Sequence, residues 1–225
     1  MATPDDLRAD PALPARVQSA ALPWTPSPMP GVWRKRLERA GPVEAGRVTS
    51  VVRYDAGSSF RRHPHPDGEE ILVLEGVFTD DRGDHPAGTW MLNPEGFVHA
   101  PGSAEGCVLF VKLRQAPGLD REAVRIDTHS ATLTPTAEHG RLRLTLLGDG
   151  PWPERIALEH LSAGAALAPR RWPGGVELFV IEGQLDVDGQ PCPAGTWVRQ
   201  PAGATVGWRA VGEARVYVRW GHLAG

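Results

Sequence analysis

Two stretches of this 225-residue chain match each other at a constant offset of 107 residues. Gly57 falls on Gly164, Glu75-Gly76 on Glu182-Gly183, Pro86-Ala87-Gly88-Thr89-Trp90 on Pro193-Ala194-Gly195-Thr196-Trp197, Pro94 on Pro201 and Gly96 on Gly203, with no gap. A chain that repeats its turn residues at fixed spacing encodes one structural unit twice. The copies span residues 31–115 and 141–225, with a connector at 116–140. Residues 1–30 carry Pro at 4, 11, 14, 23, 26, 28 and 30 and read as an extended N-terminal arm lying across the two copies.

What each copy folds into follows from its punctuation. Gly 26 and Pro 22 are spread through the whole chain, so the elements are short and joined by turns. Between the turns lie runs rich in β-branched and aromatic residues: Val48–Tyr54, Ile71–Leu74, Val108–Leu113, Leu142–Leu147, Val176–Ile181 and Ala214–Trp220. Such runs predict strands, and a series of them predicts a sandwich or barrel. About 80 residues suffice to close a small barrel, so the expected fold is all-β with two tandem barrels. Short helices are expected only near Pro4–Ala20 and Asp120–Val124.

A net charge of -3 argues against a nucleic-acid binder or a polybasic membrane surface. The apolar runs are too short to span a bilayer. The N-terminus, with three Asp in its first ten residues, lacks the pattern of a signal peptide. Two cysteines, Cys107 and Cys192, exclude a disulfide framework and point to a reducing, cytoplasmic setting.

The first copy carries a dense set of metal-ligating residue types. Gly57 to Gly76 reads G-x5-H-x-H-x3-E-x6-G through His63, His65 and Glu69, and Gly88 to His99 reads G-x5-P-x-G-x2-H. Residues two apart on a strand share a face, so His63 and His65 approach one ion together. Glu69 returns after the Pro66-Asp67-Gly68 turn, and His99 arrives from a later strand. Alternation separates Glu69 from Glu70, which is assigned an outward or salt-bridging position. The ordinary alternative is a set of surface-turn histidines satisfied by hydrogen bonds.

These paired blocks resemble the two sequence motifs of the cupin superfamily, double-stranded β-helix (jelly-roll) barrels that hold a metal on three His and one Glu. Ser103 stands where the second motif ends in Asn. The stretch HPHPDGEEILVLEG, Phe78, the Pro86–Thr89 block and EGCVLFVKLRQ further resemble the cupin sensor domain of the zinc-binding anti-sigma factor ChrR. The resemblance implies ligands at His63, His65, Glu69 and His99 and one divalent ion per chain. Sigma-factor binding is not expected, because residues 1–30 contain neither His nor Cys.

Three imidazoles and one carboxylate leave a divalent ion with a charge of about +1 and disfavour thiolate-seeking metals. Zinc would close a tetrahedral site, whereas Fe, Mn or Ni in six coordination keeps positions open for dioxygen, water or a chelating substrate. The ChrR resemblance favours zinc and a role in sensing or small-molecule binding. The wider cupin resemblance keeps a metal-dependent enzyme, such as an Fe(II) dioxygenase, hydrolase or isomerase, as the alternative, and a metal that only staples the fold as a third. A homo-oligomer is compatible with all three.

Other residues receive weaker assignments. Arg53, Arg61 and Arg62 flank the His pair as solvated groups or as a grip for a substrate carboxylate. Tyr54, Phe60, Trp90 and Phe97 are expected to pack the barrel. Cys107 is either a buried hydrophobe or a reactive thiol. In the second copy Arg170, Trp172, Val176 and Val206 replace the four ligands, so this lobe should fold and bind no metal there. A rival reading gives it a pocket lined by Arg170, Trp172 and Glu177.

Overall fold

A computed structural model describes residues 6–42 and 44–223 and divides the chain into two compact units. One comprises the residues up to Ala9 together with Leu22–Ser130, the other Asp10–Ala21 together with the chain from Ala131 onward. Among the described residues there is no α-helix, only a 3-10 turn at Ser19–Ala21. The strands expected from sequence form at Arg47–Tyr54, Glu69–Asp80, Cys107–Leu113, Arg141–Leu147, Val176–Glu182 and Ala214–Trp220. Among the described residues the expected helices do not form, and Pro4 and Asp5 lie outside them. Ala15–Gln18 is a strand paired with Thr196–Gln200, and Val124–Asp127 is a strand paired with Thr89–Asn93. Each satisfies its backbone groups on a sheet edge, which outweighs weak local helix preference.

In the first unit one wall runs Val124–Asp127, Thr89–Asn93, Glu69–Asp80, Cys107–Leu113, Arg47–Tyr54, Val32–Ala40, Thr25–Pro26. The facing wall holds two short pairs, His63–His65 with Phe97–His99 and Ser58–Ser59 with Gly102–Ser103. The twelve-residue strand Glu69–Asp80 serves both walls: its first half pairs with Cys107–Leu113, its second half with Gly83–Pro86. It turns at Gly76, where φ is +71° and an added Cβ would lie 2.1 Å from the Gly106 carbonyl oxygen. Gly183 repeats this in the second unit, 2.1 Å from the Glu213 carbonyl oxygen. Only glycine fits both the backbone angle and the approach.

The floor of the first barrel is packed with Val32, Tyr54, Ile71, Val73, Phe78 and Leu109, all buried. The second unit has the same plan, a seven-stranded wall facing a four-stranded one formed by Ala166–Arg171, Thr205–Ala210, Gln184–Val187 and Gln190–Pro193. Its interior is filled: Trp172, Val176 and Val206 lie in one buried cluster with Leu178 and Trp208. These positions correspond to His65, Glu69 and His99 of the first copy.

Candidate metal centre

Pairing of His63–His65 with Phe97–His99 sets His99 directly opposite His63 and leaves His65 on the same face. The three imidazoles offer ligand nitrogens that lie within 4.8 Å of one another. His65 Nε2 and His99 Nε2 are 2.8 Å apart, and Glu69 Oε2 is 3.6 Å from the first and 3.5 Å from the second. Metal–nitrogen bonds of about 2.0–2.1 Å place neighbouring donors roughly 3–3.4 Å apart, so this spread suits one small ion. The structure thus brings the three histidines together and sets Glu69 beside two of them, His65 and His99. Glu70 points to the other face as alternation required, but it is buried there and accepts a hydrogen bond from Trp90 Nε1 at 2.8 Å.

Three of the four donors are held from behind. His63 donates from Nδ1 to the Arg61 carbonyl at 2.8 Å, which leaves Nε2 with its lone pair. Asn93 donates from Nδ2 to Glu69 Oε2 at 2.8 Å, and its own Oδ1 accepts from Arg125 Nη2 at 2.5 Å. His99 donates from Nδ1 to Asp80 Oδ2 at 3.2 Å, while Asp80 Oδ1 takes His85 Nε2 at 3.0 Å and the Arg82 N–H at 2.8 Å. Orienting partners of this kind fix ring tautomers around metals. Burial alone would raise the Asp80 carboxyl, but the hydrogen bonds from His85, His99 and Arg82 outweigh it and hold it well below the usual carboxylate range. Burial lowers His65, more than the Glu69 charge raises it, so its imidazole is neutral and able to ligate.

Asp80, His85, Asn93 and Arg125 are not among the residues singled out from sequence. Nothing in their spacing marks them, since Asp80 and His85 reach the site through the Glu69–Asp80 and Gly83–Pro86 hairpin. Ser103, in place of the motif's Asn, donates to the Val77 carbonyl at 2.6 Å and ties the facing wall to the long strand. Arg61 and Arg62 are exposed, Arg62 bridging Asp81 at 2.6 Å, and Arg53 bridges Asp55 at 3.3 Å. None of these three lines the cavities described next.

A cavity of about 80 Å³ reaches His63, His65 and Glu69 and is walled by Tyr54, Phe60 and Leu109. It shares Arg34, His63 and His65 with an outer vestibule of about 220 Å³ that also meets Arg36, Arg39, Glu44 and Arg114. Tyr54 and Phe60 therefore both pack the barrel and face the cavity. Burial, reinforced by the Glu69 charge, pushes the Tyr54 phenol well above its ordinary value, so it presents a neutral hydroxyl.

A family model described as the ChrR cupin-like domain matches residues 13–117 and again 121–223. The chain belongs to the ChrR cupin-like family. It is a bicupin, with one cupin domain for each match. No curated protein matches by sequence. Among solved structures, this bicupin resembles YlbA from Escherichia coli at 15% identity and TM-score 0.71, over 96% of this chain and 93% of that one. It resembles a putative dioxygenase from Nostoc punctiforme at 12% and 0.72, over 96% and 81%. The E. coli pirin YhhW in complex with nickel(II) matches at 14% and 0.68, over 94% and 100%. At such identities these likenesses show the fold alone.

In the second cupin domain the expected rival pocket is not built. Trp172 is buried, stacks on Trp208 at 5.7 Å and donates from Nε1 to the Val206 carbonyl at 3.1 Å. Arg170 lies over its ring at 4.0 Å, and Glu177 is buried on the other face of its strand beside His222 Nε2 at 3.3 Å. Among the described residues Trp172 fills this interior, and Glu177 lies on the opposite face of its strand, so the three do not face one space. Cys107 and Cys192 are both buried and free, and burial pushes the Cys107 thiol up to about 11.

Proposed function

We infer that the first barrel holds one divalent ion on His63, His65, Glu69 and His99 and uses it to bind a small oxygen-donor molecule. The observation that carries this is the convergence of three imidazoles with Glu69 beside two of them, His63, Glu69 and His99 each held by an orienting partner, next to a cavity that His63, His65 and Glu69 line. An ion held by these residues would border the cavity that His63, His65 and Glu69 line. Zinc accommodates this donor set, as do Fe(II), Mn(II) and Ni(II). The ion would supply Lewis acidity. The chain supplies a neutral His65, a Glu69 held by Asn93, and a Tyr54 hydroxyl lining the same space.

The open cavity also favours a second reading, a metal-dependent enzyme of the dioxygenase, hydrolase or isomerase kind. The likeness to a putative dioxygenase and to a nickel-bound pirin supports it at the level of fold. Among the described residues no helix is long and apolar enough to cross a membrane. The cytoplasm, with no sigma-factor partner, is the setting proposed.

Metal analysis of protein purified without added metal or chelator tests the site. The expected result is about one ion per chain, lost in His99→Ala. Full metal content in His99→Ala, or none in the wild type after reloading, would overturn it. Exchangeable water on the ion would favour the enzyme reading over a closed sensor.

A further inference from the structure

The arginines at the mouth of the first barrel belong neither to its core nor to its metal ligands. Along Val32–Ala40 the inward residues are Val32, Arg34 and Arg36, and a register slip after Arg36 brings Arg39 to the same vestibule. With Arg114, which pairs with Asp67 at 3.8 Å, four guanidinium groups line the space, and Glu44 is the one carboxylate among its described lining residues. Glu44 grips Arg34 Nη1 with both oxygens, at 2.7 and 2.8 Å, and reaches Arg36 Nη2 at 3.5 Å. Its side chain is 41% exposed, against 16% and 20% for the two arginines, so a rim carboxylate leans onto half-buried cations. Burial, and next the charge of Arg34, lower the Arg36 guanidinium, and the Glu44 charge offsets this only in part.

The second barrel shows what full compensation looks like. Strand register sets Arg143 opposite Glu159 just as it sets Arg34 opposite Val52. Glu159 is buried and binds Arg143 Nη2 at 2.7 Å and Arg141 Nη2 at 2.6 Å. There the cation is neutralised from inside the barrel. In the first barrel that inner position is apolar Val52, and the carboxylate comes from the surface turn.

We propose that the vestibule of the first barrel is a carboxylate subsite for a small organic acid. Arg34 and Arg36 hold the acid's carboxylate where the Glu44 carboxylate now sits, in the bidentate geometry that guanidinium favours. Glu44 is then a tethered competitor that an incoming acid displaces. The rest of the acid extends past Arg34 and His63, the shared wall of the two cavities, toward the ligand cluster. This deepens the metal-centre reading and rests on it for the inner end of the acid alone; the arginine grip does not require the ion.

Calorimetric titration of succinate into the full-length, metal-stripped protein tests the subsite, with acetate and inorganic phosphate as comparison probes. Glu44→Gln removes the competitor from an exposed turn and should tighten succinate by about tenfold or more. Arg34→Gln should weaken it by a similar factor. An unchanged Kd in Glu44→Gln, no succinate binding by any form, or phosphate bound more tightly than succinate would overturn the proposal. If Arg34→Gln does not fold, Glu44→Gln decides alone. Metal content is measured separately on the same samples: tighter succinate in Glu44→Gln without metal binding sinks the metal reading and leaves the subsite standing, and full metal content without succinate binding does the reverse.

Discussion

Asp80 accepts a hydrogen bond from His99 Nδ1 at 3.2 Å, on the side of the imidazole away from the other ligands. Because the carboxylate sits behind the ring, His99 turns the lone pair of Nε2 toward His65, from whose Nε2 it accepts at 2.8 Å, and toward Glu69, where a bound ion would take it. Asp80→Asn keeps the shape and removes the charge. Its metal affinity should fall by roughly 10–100-fold, as for other outer partners of ligating histidines. Competition with a chelator of known affinity checks this, and an unchanged affinity would reduce Asp80 to a structural residue.

The same carboxylate governs behaviour in acid. Its folded pKa lies below the unfolded value of about 3.9, so its stabilisation is present above that value and is lost as pH falls toward the folded one. Urea unfolding of the metal-stripped protein at pH 7 and pH 3 should show the wild type losing more stability than Asp80→Asn over that interval. Equal losses would mean that other carboxylates dominate acid unfolding.

Trp172 separates fold from chemistry. It fills the place in the second barrel that His65 holds in the first, stacked on Trp208. Trp172→Ala should destabilise the protein by about 3–5 kcal/mol through the cavity it leaves. Metal content should stay at about one ion per chain. A drop in metal content while the protein remains folded would assign the second barrel a part in the site.

Cys107 is a test of the redox alternative. With its thiol raised to about 11 and its side chain buried, it carries almost no thiolate at neutral pH. Alkylation of the native protein at pH 7.5 should be slow, and it should accelerate on unfolding. Rapid native modification at Cys107 would restore the reactive-thiol reading.

Much of the site was legible in the chain because its ligands sit in short local patterns. His63 and His65 are two apart on one strand, and Glu69 is preferred to Glu70 because it leaves six residues before Gly76, with alternation putting the two on opposite faces; Glu70 accepts its hydrogen bond from Trp90 on the other face. Asp80, His85, Asn93 and Arg125 were not legible, since each reaches the ligands through pairings with other strands. Arg34 and Arg36 show the halfway case. Their spacing signals a shared face, yet that this face is the cavity wall depends on the register with Arg47–Tyr54. The expected helix at Asp120–Val124 failed for the same reason, as the edge of Thr89–Asn93 claimed the chain from Val124 as a strand.

The sequence by itself determined that one unit is built twice, that both units are β, and which four side chains of the first can meet. Turn residues at fixed offset and strand alternation are local properties, and local chemistry is what a linear chain records. The tertiary structure decided what surrounds those four: a carboxylate behind His99, an arginine-lined mouth under Glu44, and a second barrel whose interior Trp172 fills. Those relations join residues through register across neighbouring strands, and register is set by how the whole sheet buries its apolar face.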